Sequence, residues 1–131
     1  VIVRQRHTRQ RAAIMSALET SPHPCTPEEL LEAAQQRVAG IGMATVYRAI
    51  RDLCDEGRLH AVALPGAAPR YELAGRGHHH HFECHGCHKV FHVDGCAHDL
   101  ARLAPAGFTL EGHEIVLYGR CPACAAEAKS A

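Results

Sequence analysis

His78-His79-His80-His81-Phe82-Glu83-Cys84-His85-Gly86-Cys87 is the stretch on which the reading of this chain turns. It ends in a Cys-x-x-Cys turn, and a second such turn stands at Cys121-Pro122-Ala123-Cys124. A turn of that spacing lets two thiolates converge on one ion, and two turns supply the tetrahedral sulfur set of closed structural zinc sites. Residues 88–120 lie between the pairs, more than the usual zinc-ribbon gap. Loop closure costs only about 0.6 kcal/mol more per doubling of length, so the gap is no obstacle. Cys84, Cys87, Cys121 and Cys124 are expected to hold a structural zinc that ties the end of the chain to the centre of its second half. The competing reading is a pair of redox dithiols. Seven cysteines is an odd number, and the paired spacing argues for metal in a reducing cytoplasm over disulfides. Cys25, Cys54 and Cys96 have no place in this scheme, and Cys54 reads as a core residue.

Twelve histidines are the other compositional outlier, and they cluster after residue 77. If the run before Cys84 is a strand, its side chains alternate. His79 and His81 then face one way, and His78 and His80 the other, so one run serves two sites. His113 and the His98/Asp99 pair are candidates to complete one site. Glu72 and His60 are candidates for the other. Imidazole with a carboxylate suits zinc, and also iron, nickel or manganese. His92 is a candidate extra ligand, while His85 and His88 read as exposed loop residues.

Toward the N-terminus the pattern becomes helical. Thr8 is placed to cap a helix through about Leu18, with Ala12, Ile14, Met15 and Leu18 inward. Ser21-Pro22-His23-Pro24 breaks it. Thr26-Pro27-Glu28-Glu29 is a second start, with Thr26 as N-cap, Pro27 first in the helix and Glu29 closing a capping box. A third helix is expected from about Ala44 to Glu56. Val46, Ile50 and Leu53 turn inward, Tyr47, Arg48 and Arg51 fall outside the stripe, and Gly57 is the stop. Leu59 to Val62 and Arg70 to Leu73 then read as two short strands joined through Pro65-Gly66. Three helices and a two-stranded wing make a winged helix-turn-helix, whose third helix enters the major groove of DNA. Arg48 is suited to guanine, Tyr47 to a thymine methyl or a phosphate, and Arg4, Arg6, Arg9, Arg11 and Arg51 to phosphates.

The formal charge is zero, which excludes a uniformly basic coat for nucleic acid; contact must come from a local patch. No apolar run approaches the length of a membrane span, and the first eleven residues carry four arginines without a signal-peptide apolar core. No membrane partner and no small-molecule substrate are expected. The fold class expected is α+β. Residues 1–74 are expected to form a winged-helix DNA-binding domain, 75–77 a hinge, and 78–131 a small metal-binding α/β domain with the four-cysteine zinc.

Thr45-Val46-Tyr47-Arg48-Ala49-Ile50 with Leu53 and Gly57 resembles the recognition helix of the ferric-uptake regulator family, and Thr8-Arg9-Gln10-Arg11 resembles its first helix. The stretch from His78 to Cys87, with His113-Glu114-Ile115-Val116-Leu117-Tyr118-Gly119-Arg120-Cys121, resembles its metal-binding half. The resemblance runs in order over nearly the whole chain. It implies a homodimer, with residues 78–131 as its small α/β dimerisation domain, that closes, when metal is bound, onto an AT-rich inverted repeat near promoters. By matched position, the sensing site is His79 and His81 with Glu72 and either His60 or His23. The second site is His78, His80, Asp99 and His113, with Asp99 where members usually carry Glu.

The resemblance thus implies a metal-dependent repressor of metal-uptake genes, not an enzyme. The four-histidine run is most similar to the zinc-uptake branch, so zinc is the sensed ion expected, with iron(II) or manganese as alternatives. Leu73 or Glu72 stands where many zinc sensors place a Cys ligand, and Glu72 is closer to the iron-sensing pattern. Peroxide sensing ranks third, because His92 stands where such relatives carry Asp. A zinc hydrolase or deaminase is the rival from another class. Deaminases need His-x-Glu with Pro-Cys-x-x-Cys, whereas His113-Glu114 are adjacent here and the Pro lies inside the Cys pair. Four thiolates also leave no open position for water.

Overall fold

The computed structural model describes residues 2–130, and the chain divides into two compact units, one through Gly77 and one from His78 onward.

The first unit contains α1 (Ile2–Thr20), α2 (Pro27–Gln35), α3 (Met43–Asp55), β1 (Leu59–Val62) and β2 (Arg70–Leu73). Helix α1 starts six residues before Thr8, which is not its cap. The preceding Arg and Gln residues are good helix formers, and the Thr8 hydroxyl donates to the Arg4 carbonyl at 2.9 Å, one turn back. The inward face also differs by one position from the expected one: Ala12 is exposed, whereas Ala13, Ile14, Ala17 and Leu18 are buried.

Helix α2 opens as its sequence requires. The Glu29 amide donates to Thr26 Oγ1 at 3.1 Å, the Thr26 amide donates to Glu29 Oε1 at 3.3 Å, and Pro27 fills the first turn. Helix α3 buries Val46, Ala49, Ile50 and Leu53. It stops where Gly57 takes φ +74° and the Arg58 amide donates to the Leu53 carbonyl at 2.9 Å. This is a glycine C-cap, which side chains at that φ resist.

Strands β1 and β2 pair antiparallel with His60 opposite Glu72. Cys25 extends this sheet by a bridge to Tyr71, with reciprocal amide–carbonyl bonds of 2.9 and 2.8 Å. Arg70 donates to Glu29 Oε1 at 2.7 Å and so ties the hairpin to α2. Three helices and a hairpin share one apolar core, from Ala13 and Ile14 through Leu30, Ala34 and Leu53 to Leu59. Cys54 packs against its edge, where burial pushes the thiol up.

The second unit is a three-stranded sheet in the order β4-β3-β5, made of β3 (His80–Cys84), β4 (Val90–Val93) and β5 (Val116–Gly119). Strand β3 runs antiparallel to β4 and parallel to β5. A single 3-10 turn at Leu100–Leu103 stands between β4 and β5, and α4 (Pro122–Ser130), which the sequence reading did not anticipate, follows β5. Among the described residues of this unit, the buried side chains are His80, Cys84, Val90 and Cys121. So little apolar burial within one chain leaves a small unit dependent on cross-links or on association for its stability.

Candidate metal centres and nucleic-acid face

Strand β3 runs straight into the first Cys-x-x-Cys turn. The Cys84 amide donates to the Lys89 carbonyl at 3.0 Å, and the His88 amide to the Cys84 carbonyl at 2.9 Å, so the turn folds back on itself. His88 closes it in the left-handed region, at φ 62°. The parallel pairing of β3 with β5 sets Cys84 beside Gly119. Cys121 therefore arrives next to the first pair, and Cys124 follows in the opening turn of α4. The four sulfurs lie within 4.8 Å of one another, and all four cysteines are free thiols.

A tetrahedron with zinc–sulfur bonds of about 2.3 Å has edges of about 3.8 Å. The Cys87 and Cys121 sulfurs are 3.8 Å apart. Backbone N–H groups of Cys121 and Gly86 donate to Cys84 Sγ, both at 3.3 Å. These bonds, that of Cys121 foremost, pull the Cys84 thiol down to about 5. Cys124 is pushed up to about 12, because it shares hydrogen bonds with the Cys121 and Cys84 sulfurs. The donor set fits a thiophilic ion that replaces the shared protons. Gly86 is required by close approach, since a Cβ there would stand 2.7 Å from Cys124 Sγ.

A second group lies in the same unit. His78 and His80, which alternate with His79 and His81 along the chain, meet His113 from the segment before β5. His78 Nε2 is 3.0 Å from His113 Nε2. The fourth member is Cys96, in the segment after β4, with Sγ 3.1 Å from His80 Nε2 and 3.0 Å from His113 Nε2. His80 is buried, which pushes its imidazole down, toward the neutral form that a ligand needs. The structure does not bring Asp99 into this group. It sits where the chain turns into the 3-10 helix, its carboxylate is exposed, and it lies 3.7 Å from Arg102. Cys96 is the residue that reasoning from the sequence left without a role. The available signal was a thiol three residues before the matched acidic position.

The remaining candidate ligands divide between the units. In the first, His60 Nε2 stands 2.9 Å from Glu72 Oε1 across the hairpin, and Glu72 is buried. His23 lies in the turn after α1, with Nδ1 3.2 Å from the Pro24 carbonyl. In the second, the His79 ring meets that of His81 at 4.9 Å and stacks on His92 at 4.2 Å. His92 Nε2 is held by Asp94, while its buried Nδ1 has no hydrogen-bond partner among the described residues.

On α3, Tyr47, Arg48 and Arg51 are exposed, outside the buried stripe. Arg48 also donates to Thr45 Oγ1 at 3.2 Å. Arg9 is exposed on α1. Arg11, in contrast, reaches both oxygens of Glu56 at 2.7 Å, an ion pair that raises the arginine and lowers the carboxylate. Its charge is thereby partly neutralised within the unit.

A winged helix carried in one chain with a thiolate- and imidazole-lined metal-binding unit defines a class, the metal-responsive regulators of transcription. The ferric uptake regulator family profile matches residues 3–118, and the chain belongs to that family. It is 32% identical to the ferric uptake regulation protein of Campylobacter jejuni over 124 residues, covering 91% of this chain and 79% of that protein. It is 31% identical to the zinc uptake regulation protein of Mycobacterium tuberculosis over 124 residues, covering 91% and 94%. Among solved structures, a zinc-bound manganese uptake regulator superposes with a TM-score of 0.75 at 28% identity, over 86% of this chain and 87% of that one. The chain is thus a metal-responsive transcriptional regulator rather than an enzyme, and regulators of this family are dimeric DNA-binding proteins. No helix among the described residues is long and apolar enough to cross a membrane.

Proposed function

We propose that this protein is a zinc-sensing repressor of metal-uptake genes, acting in the cytoplasm as a homodimer on an AT-rich inverted repeat. The observation that carries the reading is the nitrogen-rich donor set outside the four cysteines: His60 paired with the buried Glu72 in one unit, and the contacting rings of His79, His81 and His92 in the other. Imidazoles with few carboxylates suit zinc better than manganese or magnesium, which favour oxygen.

The four cysteines hold a structural zinc, a role supported by the 3.8 Å edge and the absence of an open coordination position. The sensing ion takes His79, His81, Glu72 and His60, with His23 as the alternative to His60. This set rests on the family resemblance and on the donors paired within each unit. Tyr47, Arg48, Arg51 and Arg9 contact DNA, while Arg11 contributes less because Glu56 holds it. The sensed ion acts through its higher affinity for the dimer arrangement whose two recognition helices fit adjacent half-sites.

Iron sensing is the second reading, favoured by Glu72 as a carboxylate donor. Relatives named for iron and for zinc share nearly the same identity with this chain, 32% and 31%, so the ion is a matter for measurement. The experiment is gel retardation of a palindromic AT-rich duplex, titrated separately with buffered zinc, iron(II) and manganese. Zinc is expected to drive binding at the lowest free concentration. Retardation that responds to iron(II) and is indifferent to zinc overturns the zinc reading. Binding indifferent to every metal overturns the sensing role.

A further inference from the structure

The second histidine group has a feature that its matched positions do not carry. Three imidazoles and one thiol converge, and the only carboxylate expected there, Asp99, points to solvent beside Arg102. Every member lies in the second unit, on three separate segments: His78 just before β3 with His80 at its first residue, Cys96 after β4, and His113 before β5. The Cys96 sulfur is central to the group. It stands 3.1 Å from His80 Nε2, 3.0 Å from His113 Nε2 and 3.4 Å from His78 Nε2. A tetrahedron with zinc–nitrogen bonds of about 2.0 Å and one zinc–sulfur bond of about 2.3 Å has edges of roughly 3.3–3.6 Å. The observed edges are a few tenths of an ångström tighter, a difference that slight outward movement around an ion removes.

We propose that this group is a closed four-coordinate zinc site with three imidazole ligands and the Cys96 thiolate, in which Cys96 takes the place of an acidic ligand. The inference deepens the second site of the metal-sensing reading above and rests on that site's existence. Its consequence is selectivity. A thiolate is a soft donor that favours zinc and disfavours manganese, which a carboxylate at the same position accommodates better. Four protein donors leave no position for water or substrate, so the site is structural or regulatory rather than catalytic. The backbone supports the arrangement. Gly95, just before Cys96, has open space around it, and the segment between β4 and the 3-10 turn is held by no strand pairing of its own. The sulfur can therefore be brought to the ion without distorting the sheet.

Cobalt(II) is the probe. Protein whose four-cysteine site is kept filled with zinc is titrated with cobalt(II). The proposed sensing ligands His60, Glu72, His79 and His81 contain no sulfur, so a thiolate-to-cobalt charge-transfer band in the near ultraviolet reports Cys96. The native chain is expected to show that band together with tetrahedral cobalt absorption. C96S is expected to lose the band and to bind zinc at this site at least about 100-fold more weakly, since removing even an indirect supporting partner of a metal ligand costs 10–100-fold. D99N is expected to keep both. C96D, which restores a carboxylate, is expected to narrow the preference for zinc over manganese. Retention of the band in C96S, or its loss in D99N, overturns the proposal. The separate retardation assay keeps the two readings apart: a normal charge-transfer band with metal-indifferent DNA binding would sink the sensing role and leave the Cys96 ligand standing.

Discussion

Gly86 offers the most direct test of the four-sulfur cluster. A methyl group at this position stands 2.7 Å from Cys124 Sγ and 2.8 Å from Cys124 Cβ, roughly 1 Å inside an ordinary van der Waals contact. Neither neighbour is free to give way once zinc is bound. Cys124 is anchored in the first turn of α4, and its sulfur must stay within about 0.2 Å of its bonding distance. Overpacking of this kind costs about 1–3 kcal/mol, which corresponds to a loss of zinc affinity of roughly 5- to 150-fold. The assay is competition for zinc against a chelator of known affinity, comparing Gly86→Ala with the native chain. Gly40→Ala, in the first unit, where nothing lies within 4 Å of the added carbon, is the control. Gly86→Ala should lose zinc earlier and Gly40→Ala should not. Equal zinc retention by Gly86→Ala and the native chain would show that Cys124 does not close on the same ion as Cys84 and Cys87.

Three further outcomes follow from the geometry. The Cys84 thiol is lowered from an ordinary 9.0 to about 5, so its thiolate contributes stability that is present above pH 9 and lost as pH falls through 5. Cys124 is raised from 9.0 to about 12, so its protonated form contributes stability that is present below pH 9 and lost as pH rises through 12. Reduced, chelated protein should therefore melt highest near pH 9, and a melting temperature flat from pH 6 to 11 would contradict the hydrogen bonding described for these sulfurs. His88→Gly removes the strain of a side chain at φ 62° and should raise the stability of the zinc-loaded chain by about 1 kcal/mol, read as a higher melting temperature; a lower one would show that the His88 side chain contributes more than its backbone costs. Tyr47→Ala and Arg48→Ala should each weaken retardation of the palindromic duplex by about 1–3 kcal/mol with zinc content and melting temperature unchanged, whereas unfolding by either would place that side chain in the core.

Much of the first unit was legible because periodicity and turn chemistry agree there. Thr26, Pro27 and Glu29 form the capping box that their spacing announces. Val46, Ile50 and Leu53 are buried, and Tyr47, Arg48 and Arg51 are exposed, as the helical stripe requires. Helix α1 was read too short because Thr8 has the right chemistry for a cap, and only the structure shows its hydroxyl satisfied by Arg4 one turn back. The same ambiguity moved the inward face from Ala12 to Ala13 and Ala17. Alanine carries too little apolar surface for periodicity to separate one face from the other. Helix α4 was missed for a related reason: its Ala-rich stretch after Pro122 has no amphipathic stripe to detect, and a Cys-x-x-Cys motif draws attention to its sulfurs rather than to the helix they begin.

The second unit shows where spacing ceases to be informative. Cysteine pairs announce themselves because both ligands of each pair sit in one turn, so local geometry suffices. The group of His78, His80, Cys96 and His113 is assembled from three segments, and its fourth member depends on how the chain leaves β4. Asp99 and Cys96 are three residues apart in a segment without strand pairing, and either could be presented to the histidines by a different turn. The 3-10 turn beginning at Leu100 carries Asp99 outward to Arg102 and leaves the sulfur inside. A unit whose buried side chains, among the described residues, are His80, Cys84, Val90 and Cys121 has little apolar core to set its geometry. With the proposed ions bound, these donors would take over part of that structural role, and exchanging one donor type for another would change the ion that stabilises the fold as well as the ion it reports.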